Sequence, residues 1–439
     1  MARAKKEAAL TPEERLQAAL VPDWEWPYKL PENWCWLKLV ESFDNHTDSK
    51  KKIKQKDYLA KGKLAVVDQG QELIGGYTND VKKSYSGALP IVIFGDHTRC
   101  IKFVDFPFAQ GADGVKVLRP KPFYLPKAFY YALQSVNIPN LGYRRHFPLF
   151  NKFSIPLPPL AEQQRIVDRI ESLFAKLDEA KEKAQAVVDS FETRKAAILH
   201  KAFTGELTAK WREEHGVRME SWKQCSLSDV CTVNPKKADT KDLPDELEVS
   251  FFPMPALSEI YGEITDPQTR LLKEVRSGFT NFSEGDVVFA KITPCMENGK
   301  SAVIGKLVND IGYGTTEFFV LRCSDRLYNR FLYHLVRDKL FRDKAKAVMA
   351  GAVGQQRVPK RYLETYKLNL PKFNEQREIV RILDGSFAKE QQSKEAAEAV
   401  LDRIDLMKKS ILASAFRGEL GTNDPNEESA VELLKRTIL

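Results

Sequence analysis

The sequence predicts an α+β chain. Two mixed α/β domains of short strands are separated by two long helices, which pair as an antiparallel intramolecular coiled coil with pseudo-twofold symmetry. Three observations carry that expectation. One stretch occurs twice: Pro158-Pro159-Leu160-Ala161-Glu162-Gln163 and then Ile166-Val167 return as Pro371-Lys372-Phe373-Asn374-Glu375-Gln376 and Ile379-Val380, an offset of 213 residues. The offset is unchanged at the far end, where Ala202-Phe203 and Gly205-Glu206-Leu207 meet Ala415-Phe416 and Gly418-Glu419-Leu420. A gap-free repeat of this kind is a duplicated structural unit. Second, both copies carry apolar positions in alternating steps of three and four, the signature of a coiled-coil helix. Third, the stretches between them hold short apolar runs punctuated by glycine, which read as buried strands and turns.

In chain order, residues 1–26 are an N-terminal arm and a short helix. Residues 1–10 are basic; Thr11-Pro12-Glu13-Glu14 is a capping box that starts a helix reaching about Leu20. Pro22, Pro27 and Pro31 then enforce an extended passage past Trp24, Trp26 and Trp34. Residues 27–157 form the first mixed domain, with strands at Leu64-Ala65-Val66-Val67 and Pro90-Ile91-Val92-Ile93-Phe94 and a helix near Lys127–Val136. Residues 158–207 are the first long helix. Its seam runs through Ile170, Leu173, Leu177, Ala180, Ala184, Val187, Phe191 and Ile198, interrupted by Arg194, and Gly205 stops it.

Residues 208–219 read as a linker. Residues 220–369 are the second mixed domain, with strands around Val287–Ala290 and Phe318–Leu321 and a helix Leu327–Ala350 ending at Gly351. Residues 370–421 are the second long helix, with a seam at Leu383, Ser386, Glu390, Ser393, Ala397, Val400, Ile404, Met407 and Ile411. Its middle is polar, so the richer first copy is its natural cover. Residues 422–439 are a tail. The entries of the two domains also echo each other: Leu20, Trp24, Trp34 and Leu39 match Leu207, Trp211, Trp222 and Leu227. The segment that should follow the second helix therefore sits at the N-terminus, and the N-terminal helix is expected to dock beside the end of that second helix.

Composition narrows the class. With 439 residues, 43% hydrophobic and 29% charged, the chain reads as a globular protein of several domains without a transmembrane run or a secretory signal. Six scattered cysteines without C-x-x-C spacing read as thiols of a reducing cytoplasm. A net charge of +8 permits a polyanionic partner without demanding one. Catalytic motifs are missing. Asn298-Gly299-Lys300-Ser301 resembles the tail of a phosphate-binding loop, but Pro294 stands where its first glycine is needed. Asn234-Pro235 begins an amino-methyltransferase motif that Lys236 breaks, and Asp286 with Lys291 lacks the partners of a nuclease site. The histidines have no metal-ligand spacing, so no metal is expected. The chain is read as doing no covalent chemistry of its own.

At this point the residues resemble a family. The repeated P-x-x-x-E-Q and I-V opening, the long helix and the A-F-x-G-E-L close, each following a mixed domain, look like the specificity subunits of type I restriction–modification enzymes. Asp68-Gln69-Gly70-Gln71, Gly75-Gly76-Tyr77-Thr78, Phe94-Gly95-Asp96-His97-Thr98-Arg99 and Lys291–Lys300 have the look of their target-recognition domains. The resemblance implies that each mixed domain is a target-recognition domain reading one half of a bipartite site in double-stranded DNA. The coils would set the spacer and dock two N6-adenine methyltransferase subunits, with endonuclease/translocase subunits joining for cleavage. AdoMet, ATP and magnesium would belong to those partners, and no cofactor to this chain.

Base edges favour Arg, Asn and Gln, while Lys and backbone amides hold phosphates. On that ground Arg144, Arg145, His146, Gln355, Gln356 and Arg357, each group shortly before a coil, are the first DNA-binding candidates, followed by Gln69, Gln71, Tyr77, His97, Arg99, Lys291, Asn298 and Lys300. The basic run Lys50-Lys51-Lys52 with Lys54 and Lys56 would at most add non-specific phosphate attraction. The alternatives are a coiled-coil scaffold that reads no sequence, and a specificity subunit of a methylation-only system.

Overall fold

Strand pairing builds the same small frame twice. Cys35–Lys38 pairs antiparallel with Ser154–Leu157, and Lys223–Ser226 pairs in the same way with Lys367–Leu370. Each pair ties the entry of a mixed domain to its exit, just before a long helix. The computed structural model describes residues 11–259, 262–352 and 354–438; the basic arm at 1–10 lies outside them. The chain divides into two compact units, Met1–Ala184 with Ala399–Leu439, and Gln185–Glu398.

In the first unit a four-stranded antiparallel sheet runs Phe43–Asn45, Val115–Pro120, Ile91–Gly95, Ile101–Val104. A three-stranded sheet sets Leu64–Val67 between Gly76–Thr78 and, in parallel, Phe108–Gln110. The second unit repeats both themes. Cys231–Val233, Phe318–Cys323, Val287–Ala290 and Ser301–Val303 make one sheet. In the other, Glu248–Phe252 again carries a parallel neighbour, Gly312–Gly314, beside Gln268–Leu271 and an added strand Thr280–Phe282. The apolar runs of the sequence supply the buried strands: Ile91, Val92, Ile93 and Phe94, like Val287, Val288, Phe289 and Ala290, are fully enclosed. Among the described residues no helix is long and apolar enough to cross a membrane.

Each mixed domain is mounted on its helix by the repeated Glu-Gln pair, whose four side chains are all fully buried. Gln163 donates to the carbonyls of Phe123 and Pro158 and accepts from the Leu125 N–H. Gln376 does the same with Arg326, Pro371 and the Tyr328 N–H. Glu375 accepts from Arg212 at 2.7 Å, Thr208 at 2.9 Å and Trp222 Nε1 at 3.0 Å. Glu162 accepts from Arg165 and Thr422, while Arg165 also forks onto Glu427. Burial of a carboxylate is tolerable only where donors surround it in this way.

The N-terminal helix, Pro12–Ala19, opens with the expected capping box of Thr11 and Glu14. Leu16 and Ala19 share a core with Leu412, Ala415 and Phe416 from the end of the second long helix. Tyr28 Oη donates to the Phe416 carbonyl, and Trp34 Nε1 to Asn423 Oδ1.

Several expectations are corrected. The first long helix is two, Leu160–Asp189 and Phe191–Thr204, because the Ser190 hydroxyl bonds back to the Ala186 carbonyl and loosens the ladder. Gly205, at φ +85°, supplies the left-handed cap that stops it. The segment read as a linker contains a helix, Ala209–Glu214, anchored by the buried Arg212. The tail folds into a helix, Ala430–Ile438, whose Leu433 and Leu434 enter the first core. The helix expected over 327–350 is also two, Asn329–Arg337 and Lys339–Ala347, since Asp338 caps the second by accepting from the Phe341 N–H.

The second long helix, Phe373–Ala415, turns its seam differently from the expectation. Leu383, Glu390, Ala397, Ile404 and Ile411 are covered or partly covered, but Val400 and Met407 are 42% and 48% exposed. The second seam position falls four residues on, at Phe387, Lys394, Leu401, Lys408 and Ala415, instead of three. Polar partners explain the shift. In the second unit Glu390 takes a 2.7 Å ion pair from Arg194, the residue that interrupts the first seam, and Lys394 lies over the Phe191 ring. In the first unit Lys408 reaches Asp178 at 2.5 Å and lies over the Phe174 ring. On the first copy Ile170, Ala184 and Phe191 are buried, and Leu173, Leu177, Val187 and Ile198 half-buried.

Candidate nucleic-acid interface

In the first unit a turn follows the strand Ile91–Gly95 and gathers three other loops. Asp96 N donates to the Gly114 carbonyl, and the Asp96 carbonyl and carboxylate accept from the backbone of His146 and Phe147. Gln69 accepts from the His97 N–H through its side chain and from the Thr98 hydroxyl through its carbonyl. Gly114, at φ +85°, leaves no room for a side chain: a Cβ there would stand 2.5 Å from the Gln69 amide oxygen. Tyr143, 87% exposed, stacks on the His97 ring at 5.0 Å, and His97 Nδ1 lies 3.0 Å from the Tyr143 carbonyl. Arg144 and Arg145 follow, both exposed and, among the described residues, without an ion-pair partner.

His146 is a correction. It is fully buried, with Nδ1 2.9 Å from the Asp96 carbonyl and Nε2 accepting from the Leu141 N–H. It holds the loop in shape and presents nothing outward. Arg99, at φ +62°, spends its guanidinium on the Ile138 carbonyl. Gln71 is exposed on the turn after Leu64–Val67, beside Asp68, which pairs with Lys102. Tyr77 lies in the small sheet, where its backbone exchanges both bonds with Leu59.

The second unit gathers corresponding loops. After the strand Val287–Ala290, Lys291 and Thr293 hydrogen-bond through their backbones to Val358 and Gln356, and Thr293 Oγ1 bonds the Gln356 carbonyl and N–H. Gln355 is exposed and Gln356 half-buried. Here the cations are occupied. Arg357 forks onto Glu317 at 2.8 and 2.9 Å, which holds that carboxyl below its usual range. Asn298 donates to Glu259, and Lys300 lies 3.7 Å from the same carboxylate. Lys291 sits over the Phe319 ring.

Both units thus bring the loop after an equivalent strand against the loop preceding the long helix. The sequence gives no sign of Tyr143 as a stacking platform, or of Glu259 and Glu317 as counter-ions, since each partner is far away in the chain. The arrangement can do two things chemically: present guanidinium, amide and aromatic groups on a backbone-braced surface, and withhold some of them behind carboxylates that a polyanion would have to displace.

Comparisons with known proteins come to the same place. The profile of the family described as "Type I restriction modification DNA specificity domain" matches residues 31–188 and again 219–399. The specificity subunit of the type I restriction enzyme EcoEI of Escherichia coli is 33% identical over 263 residues, 49% of this chain and 43% of that protein. That of EcoAI, also from Escherichia coli, is 32% identical over 259 residues, 49% of this chain and 44% of the relative. The matched stretch thus spans under half the length of these relatives. Among solved structures, the HsdS subunit from Thermoanaerobacter tengcongensis shares the fold, with a TM-score of 0.58 at 20% identity over 90% of this chain and 100% of that one.

Proposed function

The chain belongs to the family of type I restriction–modification specificity domains, and from that premise we propose that it reads a bipartite sequence in double-stranded DNA, one half-site per mixed domain. The observation that carries this reading is the pair of corresponding loop clusters, 95–100 with 140–147 and 291–300 with 354–358, each braced by backbone hydrogen bonds. Two domains of one design but different side chains are what an asymmetric site calls for. Arg144, Arg145, Tyr143 and Gln355 reach outward without a carboxylate partner among the described residues, and an arginine at a guanine edge discriminates by about 1–3 kcal/mol.

The long helices act in this proposal as the ruler, paired as an antiparallel coiled coil. Phe373–Ala415 has 43 residues and so spans about 65 Å. Two methyltransferase subunits dock on these helices, and endonuclease/translocase subunits join for cleavage. AdoMet, ATP and magnesium reside in those subunits, and this chain supplies no catalytic group. The assembly works in the cytoplasm.

The test is an insertion. Adding about four residues, one helical turn, at matched points of both long helices should lengthen the unread spacer and leave both half-sites as they were, read by mapping adenine methylation. Altered half-sites would refute the ruler. Sequence-indifferent retention of DNA by the assembled complex would favour a scaffold that reads nothing.

A further inference from the structure

One lysine of the basic run, Lys51, lines a cavity in the first unit together with Lys83. Lys51, Lys83, His46, Tyr85, Ser86 and Gln110 line a hollow of about 230 Å³ in the first unit. Gln110 is 4% exposed; its Oε1 accepts from the Asp48 N–H at 3.1 Å, while its Nε2 has no acceptor. A buried amide donor left unmatched costs about 1–3 kcal/mol, so it calls for an acceptor from outside.

The neighbouring groups say which kind. Lys83 Nζ donates to the Lys50 carbonyl at 2.6 Å, and Lys51 Nζ to the Ser84 carbonyl and Ser86 Oγ at 3.4 and 3.3 Å. Neither ammonium has a carboxylate within ion-pair distance among the described residues, and each keeps at least one N–H uncommitted. His46 is oriented by a 3.2 Å contact between its Nδ1 and Tyr85 Oη. The one acid on the wall, Asp48, turns its carboxylate to the Lys50 N–H. Two ammonium groups without a carboxylate partner, on the same wall as a glutamine whose amide donor is unmatched, fit a tetrahedral oxyanion, and the hollow admits one with room to spare.

We propose that this cavity seats a backbone phosphate of the bound duplex, a sequence-independent anchor in the first unit. It rests on the DNA-reading proposal for its ligand. The bond between Asp48 and Gln110 fixes the donor's orientation, and the two lysines supply the charge that a phosphodiester needs on leaving its counterions.

The experiment uses the complex assembled with its methyltransferase subunits, a duplex carrying the mapped site, and the same duplex with both half-sites scrambled. Lys51→Gln with Lys83→Gln should weaken binding of both about tenfold and leave their ratio unchanged. The slope of log K against log salt should become shallower by about 0.9 for one phosphate. Gln110→Glu, which sets a carboxylate against the phosphate, should act in the same direction. Unchanged affinity and slope in the lysine pair, or a loss confined to the cognate duplex, would overturn the anchor. Inorganic phosphate, added at constant ionic strength, separates the sources. If it raises the thermal stability of the parent but not of the lysine pair, while DNA affinity is unchanged, the cavity serves a free anion and the proposal falls. Equal retention of both duplexes by the parent would sink the sequence-reading proposal, and the phosphate anchor would still stand or fall on the slope.

Discussion

The two units solve one joint with different chemistry. In the first, Lys127 reaches Glu171 at 2.5 Å, the Tyr131 hydroxyl stands 3.5 Å from the same oxygen, and the Tyr131 ring meets Phe174 edge-on. In the second, Arg330 and His334 each approach Asp384 at 3.0 Å, and the imidazole packs on Phe387. Residue for residue these are counterparts, helix of the mixed domain against long helix. The repeated glutamates differ similarly: Glu375 faces a buried arginine, whereas Arg165 beside Glu162 is 38% exposed and has a second carboxylate. Duplication preserves where the contacts are made and leaves free how strongly each is coupled to water and to protons.

The widest gap between the halves should appear at those glutamates. Glu375→Ala strands Arg212 away from water and should cost about 3–5 kcal/mol in the second unit, as for any buried pair broken from one side. Glu162→Ala leaves Arg165 on Glu427 and should cost about 1.5–3 kcal/mol, the loss of hydrogen bonds to a charged group. Denaturant unfolding with tryptophan fluorescence measures both, and equal losses would break the comparison.

Protons provide the next contrast. Burial pushes the His334 imidazole below its usual value, outweighing Asp384, with Arg330 and Arg337 acting in the same sense. The folded state therefore prefers neutral His334. Its contribution is full above the unfolded value of about 6.5 and is lost as pH falls below it. Tyr131 is pushed the other way by burial and stays neutral throughout. Amide exchange, corrected for intrinsic rate, should show protection of Asn329–Arg337 falling between pH 7.5 and 5.5 while Pro126–Ser135 holds steady. His334→Gln, which keeps an N–H donor without a titrating ring, should flatten the first curve; a decline that survives it would place the proton elsewhere.

The finest distinction concerns Lys195 and Lys408, equivalent residues lying over the equivalent rings Phe387 and Phe174. Lys408 also holds Asp178, so Lys408→Met should cost about 0.5 kcal/mol at low salt and less at high salt. Lys195 is penalised first by burial and then by Arg337. Lys195→Met should be neutral or stabilising, and a larger loss there than at Lys408 would reverse the order.

Much of this frame was legible because a repeat is compared with itself and needs no outside reference. The capping box at Thr11, the strand at Ile91–Gly95 and the stop at Gly205 are local, and local chemistry reads off a sequence. The seam of the second helix was not: with Ser386, Glu390 and Ser393 in its middle, steps of three and four score alike, and only the seating of Lys394 over Phe191 and of Lys408 on Asp178 and over Phe174 decides. His146 misled for a related reason. A histidine beside two arginines in a glycine-led loop looks outward until the Asp96 carbonyl, fifty residues away, claims it.

Gln163 and Gln376 grip only main chain: carbonyls of Phe123, Pro158, Arg326 and Pro371, and the N–H groups of Leu125 and Tyr328. Such a socket does not care what the plugged-in domain spells, because every polypeptide offers the same amides at a turn. The rest of the mixed domain can be rewritten wholesale while its seat on the helix stays true, so novelty in its loops carries no penalty in how it is held.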